Sequence, residues 1–403
     1  MNLKKILKKK LGDRYYKYRL KYILTKIFGN HYLSIRKKLK VITSKLNLFK
    51  INFIKKNLNK KIAHQSIISK ETGLLIDLTK DNFLSYHLRP KKAENFNLES
   101  TCNIDEKIAI IIQGPIKEKF DFLNNTLKIY KKIFKNSIII ISTWENENIN
   151  QIKSLIDKNI YVIFNKEPIS SRSNINHQLI STHEGLSLAL QKGAKFTLKT
   201  RSDVRISKNN LETFLISLTQ TFPVKKNELI NSRIIVPSLV TFKYRIFSLS
   251  DIVMFGETND LLVYFDKQFY EESLSIMGIK KENILKNNTP VVAEIFLCSR
   301  FIGKIENDIK WDLDNWWRCL KDYFCIIDNS SLDLFWYKYD WEVEYRYRKT
   351  YSKKLSRAIN FNDWLSLYNN CQNNWHFYSK DHEMFEKLKK FDNKYKGKNL
   401  FKD

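Results

Sequence analysis

Residues 199–205, Lys-Thr-Arg-Ser-Asp-Val-Arg, place one carboxylate, Asp203, among the cations Lys199, Arg201 and Arg205. Mg²⁺ or Mn²⁺ takes one or two protein carboxylates and completes its shell with phosphate oxygens and water. Cations around such a centre stabilise the charge that develops on a departing diphosphate. The segment therefore has the makings of a metal-bridged diphosphate site; the plainer reading is an Arg–Asp ion-pair network at a strand end. Three other polar groups invite the same question: Gln113-Gly114-Pro115, Thr143-Trp144-Glu145, and residues 171–178, which contain Arg172, Asn174, Asn176 and Gln178. In the last group Ser173 or Asn174 suits the cap of a following helix.

The elements that must position these groups are legible in the hydrophobic pattern. Residues 107–113 (KIAIIIQ), 137–143 (SIIIIST), 160–164 (IYVIF) and 196–200 (FTLKT) are short runs without polar alternation. Such runs predict strands buried on both faces, as in a parallel sheet covered by helices. Residues 122–134, 149–158 and 174–192 between them carry the 3.6-residue period of crossover helices. The alternating order predicts an α/β, Rossmann-like, doubly wound domain whose ligands lie beyond the carboxyl ends of the strands. All the polar groups above fall at that rim. The glycine-rich loops of dinucleotide and P-loop folds are missing, as is a GxSxG nucleophile elbow, which disfavours dehydrogenases, kinases and serine hydrolases.

Composition narrows the class further. The 403 residues include 26 Phe, 20 Tyr and 8 Trp, enough to build a core, and only 10 Gly and 6 Pro. No apolar run reaches the roughly 18–20 residues that span a bilayer. Five scattered cysteines without a CxxC pattern, and histidines without HExxH spacing, give no disulfide scaffold or zinc site and point to the cytosol. The net charge of +29 is uneven: residues 1–62 hold 20 of the 71 Lys and Arg and a single acid, Asp13. Apolar and aromatic residues recur there at helical spacing between the lysines. This predicts a basic amphipathic helical segment lying on an anionic inner-membrane surface, and hence a cytoplasmic, peripheral location. The rival readings are a nucleic-acid-binding arm and ordinary packed helices; no nucleic-acid-binding motif accompanies the charge, so no nucleic acid is expected.

Seven separated segments, IIIQGPI at 110–116, the region of Tyr130, IIISTWE at 139–145, NINHQLISTHEGL at 174–186, LKTRSDVRI at 198–206, LSDIVMFG at 249–256 and VAEIFLCSRFI at 292–302, resemble the WavE lipopolysaccharide synthesis family. The resemblance spans roughly residues 105–305 in consistent order. It implies a GT-A-type glycosyltransferase that takes a nucleotide-sugar donor and a glycan or glycolipid acceptor of lipopolysaccharide, O-antigen or capsule. By the same resemblance Asp203 is the counterpart of the last acid of a DxD motif, with Mn²⁺ or Mg²⁺ as cofactor. Arg201 stands where the first acid would be and is itself able to neutralise a phosphate.

Under this resemblance Gln113, Gly114 and Pro115 line the nucleobase pocket, and Trp144 either stacks on the base or fills the core. Asn174, Asn176 and Gln178 bond sugar hydroxyls or cap and pack the helix. Arg172, Lys199, Arg201 and Arg205 line the donor rim. Asp251 and Glu294 are the candidate general bases, since a carboxylate must reach the acceptor hydroxyl, and Glu294 is the preferred one. The expected organisation is a basic segment at 1–62, a lead-in at 63–104, the nucleotide-sugar domain at 105–305 and a mostly helical, aromatic-rich region at 306–403. Those aromatics either stack on sugars or form the core of a cap, and His376 is a remote candidate for a metal or diphosphate contact. The alternative function is a catalytically inactive saccharide-binding or assembly protein that keeps the fold.

Overall fold

The computed structural model describes residues 92–96, 105–116, 121–243, 245–275, 293–337 and 358–369, all within the compact unit that spans 88–403. The basic segment 1–62 and His376 lie outside the described residues. Four strands, β1 (Ile108–Gln113), β2 (Ile138–Trp144), β3 (Ile160–Asn165) and β4 (Phe196–Arg201), pair in parallel in the order β3-β2-β1-β4. Every residue of β1 and of β2 is buried, which is why these strands read as unbroken isoleucine runs. β3 lies at the sheet edge and is only partly covered.

The connections follow the same logic. The helix α1 (Phe122–Ile133) joins β1 to β2, and Leu123, Leu127, Tyr130 and the rest of its buried side recur at three- and four-residue intervals. A short 3-10 helix, Asn150–Leu155, replaces the longer helix expected between β2 and β3. The long helix α2 (Ile175–Gln191) returns the chain across the sheet from β3 to β4. It comes very close: a Cβ at Gly185 would lie 2.8 Å from Cγ2 of the buried Ile111 on β1. Gly185→Ala therefore sets a gain in helix propensity of about 1 kcal/mol against an overpacking cost of about 1–3 kcal/mol. The clash involves the stiff branch of an isoleucine held in a strand, so it dominates. A lower denaturation midpoint than the unmodified protein is the expected result.

Beyond β4 the sheet continues with β7 (Met254–Glu257), β6 (Ile234–Pro237) and β8 (Phe324–Ile327). A two-residue strand, β5 (Val204–Arg205), leaves the sheet and pairs antiparallel with β9 (Phe335–Trp336). β7 runs antiparallel to both its neighbours, while β6 and β8 are parallel to each other. The fold is thus a mixed α/β layer structure with a mostly parallel sheet of seven strands, compatible with a Rossmann-like domain. The region after residue 306 does more than cap it: β8 is a strand of the main sheet. Several of its described tryptophans are core residues. Trp316 and Trp317 on α7 (Leu313–Tyr323) and Trp364 on α9 (Phe361–Tyr368) are fully buried. Helices α3 (Leu211–Thr221), α4 (Thr258–Tyr264), α5 (Phe269–Ser275), α6 (Ala293–Glu306) and α8 (Asn329–Leu332) complete the described elements.

Candidate functional site

The order β3-β2-β1-β4 has its switch point at β1, where successive crossovers leave to opposite sides; in open α/β sheets ligands bind at the carboxyl ends of the strands beside such a point. Gln113, the last residue of β1, is in register with Ser142 on β2 and Arg201 on β4. The two loops that follow β1 and β4 are laced together there. Ser202 donates its backbone N–H to Gln113 O (3.0 Å) and its hydroxyl to Pro115 O (2.5 Å). Gly114 has φ +107°, a backbone conformation strained for residues with a side chain, which is why glycine suits the crossing.

Antiparallel β7 then brings in a carboxylate from a distant stretch. Met254, at the start of β7, lies beside Lys199 near the end of β4. The residues just before β7 therefore arrive at the same rim, and Asp251 among them is buried. The ammonium of Lys199, wholly buried, donates to the Asp251 carbonyl, and the Gln178 amide approaches the same oxygen at 3.5 Å. Burial pushes the Lys199 amine down to about 7, opposed by the negative charge of Asp251 and reinforced by the positive charge of Arg201.

Arg201 and Asp203 form a forked ion pair, Nε to Oδ1 at 2.8 Å and Nη2 to Oδ2 at 3.0 Å. Trp336 secures both partners: its indole N–H donates to Asp203 Oδ2 at 3.1 Å, and its ring lies 5.5 Å from the guanidinium carbon. The pairing of β5 with β9 puts the indole there. Asp203 is buried, whereas the Arg201 side chain keeps 28% of its surface exposed. Burial works against the charge of Arg201 but is outweighed by Asp203, Asp251 and Glu294, which together hold the guanidinium ionised.

Glu294 stands in the first turn of α6 and is half-buried. Burial and the neighbouring Asp251 raise its carboxyl to about 7, against the pull of its own backbone N–H, Arg245 and Arg201. The hydroxyl of Tyr264, fully buried on α4, also feels Asp251 and Glu294, and has no hydrogen-bond partner among the described residues. The rim thus combines a carboxyl able to take up a proton near neutral pH, a second carboxylate beside it, and cations from β4.

The remaining expected site residues divide. Gln113 accepts from Ser181 of α2 (2.9 Å), so its side chain is committed to packing that helix beneath the rim, while Pro115 is exposed. Trp144 is buried edge-on against His177, with ring centroids 5.1 Å apart, as a core-filling residue would be. Arg172 lies in the 3-10 turn before α2. Asn174 is exposed with φ 57°, and no side-chain cap bond is made from it. Asn176 is fully buried, donates to Ile169 O (3.1 Å) and accepts from Ser273, which fastens α5 to α2. Arg205 is placed elsewhere than on the donor rim. Its guanidinium donates to Thr126 Oγ1 and Phe122 O on α1 and lies 4.5 Å over the Phe122 ring, because the alternation of the short strand β5 turns it to that side.

Arg245, Tyr264 and Trp336 were not among the residues expected at the site. Trp336 lies 133 positions from its partner, and no spacing rule links them. The loop that carries Arg245 and Asp251 is held by the aromatic region: the Trp316 and Trp317 indoles donate to Phe242 O and Lys243 O, and buried Lys243 pairs with Asp363 at 2.9 Å.

A divalent ion expected at Asp203 finds a poor donor set. Both carboxylate oxygens already accept from Arg201, and one of them from Trp336 as well. Among the described residues no group of three or more His, Cys, Asp or Glu is arranged to hold a metal ion. The residues at the rim therefore do not fit a resident divalent cation.

These features define an α/β protein with a cluster of charged side chains at the switch point of a mostly parallel sheet. The chain belongs to the WavE lipopolysaccharide synthesis family, whose profile matches residues 108–391. The match continues well past the segments that carry the resemblance in the sequence, in keeping with the place of β8 in the sheet. No curated protein matches the chain. Among the described residues no helix is long and apolar enough to cross a membrane.

Proposed function

We propose that this protein is a GT-A-type glycosyltransferase that moves a sugar from a nucleotide-sugar donor to a glycan or glycolipid acceptor of lipopolysaccharide. The observation that carries the reading is the convergence, at one switch-point rim, of a forked Arg201–Asp203 pair with a carboxyl at Glu294 whose protonation changes near pH 7. An acceptor hydroxyl needs a base within hydrogen-bond reach, and a base is most effective when its pKa lies near the working pH. Glu294 meets that need. Asp251 sustains the high proton affinity of Glu294 and is itself fixed through its backbone by Lys199.

In the forward step the Glu294 carboxylate takes the acceptor proton as the acceptor oxygen attacks the anomeric carbon. The bond from that carbon to the donor phosphate breaks, and its electron pair leaves with the nucleoside diphosphate. Arg201 supplies the positive field that stabilises the leaving group. The basic segment 1–62 suits attachment to an anionic membrane surface, where a glycolipid acceptor would be met.

The test is release of nucleoside diphosphate and labelled sugar transfer from a panel of nucleotide-sugars to lipopolysaccharide-derived acceptors. Turnover of at least one donor that depends on Glu294 supports the proposal. Saccharide binding with no turnover of any donor would favour the alternative of an inactive carrier, a reading encouraged by the guanidinium at Arg201 in place of an acid.

A further inference from the structure

We infer that the donor's diphosphate is neutralised by the built-in guanidinium of Arg201, so that donor binding needs no divalent cation. The inference rests on the donor reading above and specifies how that site meets the phosphate charge.

Asp203 occupies the position where a metal ligand was expected, but it is spent on aligning a cation of the protein. Its carboxylate accepts both arms of the Arg201 fork. The indole of Trp336 holds the carboxylate from one side and lies beneath the guanidinium, which fixes the plane of the fork. Asp251 and Glu294 add their negative charge around the same group. Only Asp203 bonds the guanidinium directly, and a divalent ion entering there would meet the positive charge of Arg201.

The geometry also leaves Arg201 able to bind. A guanidinium has five N–H donors, and the pair with Asp203 uses Nε and one of those on Nη2. Nη1 has no partner among the described residues, and the side chain reaches the surface. The outward edge is therefore free to grip two phosphate oxygens in the forked manner that arginine favours. Asp203 is in this account a positioning residue, and Arg201 the group that touches the donor.

The experiment is isothermal titration of the full chain with UDP, GDP and CDP, first in EDTA and then in Mn²⁺ or Mg²⁺. At least one nucleotide should bind in EDTA, with a Kd that the metals change by less than about threefold. Arg201→Gln should weaken it about tenfold or more, since a hydrogen bond to a charged group is lost. Arg201→Lys, which keeps the charge but not the fork, should fall between the two. Binding that is abolished by EDTA and restored by Mn²⁺ or Mg²⁺ would overturn the inference while leaving the donor reading intact. Failure of all three nucleotides under both conditions would remove the donor reading, and this inference with it. The metal arm uses the unmodified protein, so it decides the matter even if a variant fails to fold.

Discussion

Glu294→Gln is expected to lower kcat by about 10²–10⁴-fold, the usual worth of a positioned general base, with little change in donor affinity. In the unmodified protein kcat/KM should rise with pH through a limb near 7, because the carboxylate, and not the acid, accepts the proton. The glutamine variant should lose that limb. Stability should move in the opposite sense. The folded-state pKa of Glu294 is raised, so its contribution to stability is fully present below its ordinary carboxyl pKa and is lost as pH rises through about 7. Removing the charge should leave the variant as stable as the parent, or more stable, at pH 8. A variant that lost activity together with stability at that pH would point to a structural role, which the pH-rate profile and melting curves would separate.

Asp203→Ala should be the most damaging change at the rim. It strips two charge-assisted hydrogen bonds from Arg201 and one from the Trp336 indole, and leaves a half-buried guanidinium without its nearest counter-charge. Breaking a buried pair by deleting one partner costs about 3–5 kcal/mol; the exposure of Arg201 lowers this to about 2–3 kcal/mol. For a unit of this size the melting temperature should fall by roughly 3–5 °C. Donor affinity should fall as well, because Arg201 loses its fixed orientation. Asp203→Asn keeps one acceptor and should lie between the two. A melting temperature for Asp203→Ala within about a degree of the parent's would show that the pair does not organise the rim.

The sheet was largely readable from the sequence because its inner strands are buried on both faces. That burial leaves continuous β-branched runs in β1 and β2, bracketed by helical periods. β8 escaped notice because its four residues, Phe324–Ile327, follow directly on a helix within an aromatic-rich stretch. The site was legible where chemistry is local in sequence, as in Arg201–Asp203, whereas Asp251 and Glu294 came only from the family resemblance. It was not legible where topology does the joining. Trp336 reaches Asp203 only because β9 pairs with β5, and Arg205 turns to α1 because two-residue periodicity in β5 puts it on the other side from Val204. Asn176 shows the same limit: a polar residue at a helix start served equally well as a ligand or as a buried tie, and its contacts with Ile169 and Ser273 make it a tie.

The central claim is that a nucleoside diphosphate lies at the carboxyl ends of β1 and β4 with its phosphates on Arg201. A crystal structure of the protein soaked with the nucleotide that binds most tightly addresses it directly. The account predicts phosphate oxygens within hydrogen-bond distance of the Arg201 guanidinium, above the crossing of Gly114 and Ser202. A nucleotide seated instead in the groove lined by Phe164, Ile169 and Tyr270, with Arg201 untouched, would contradict it.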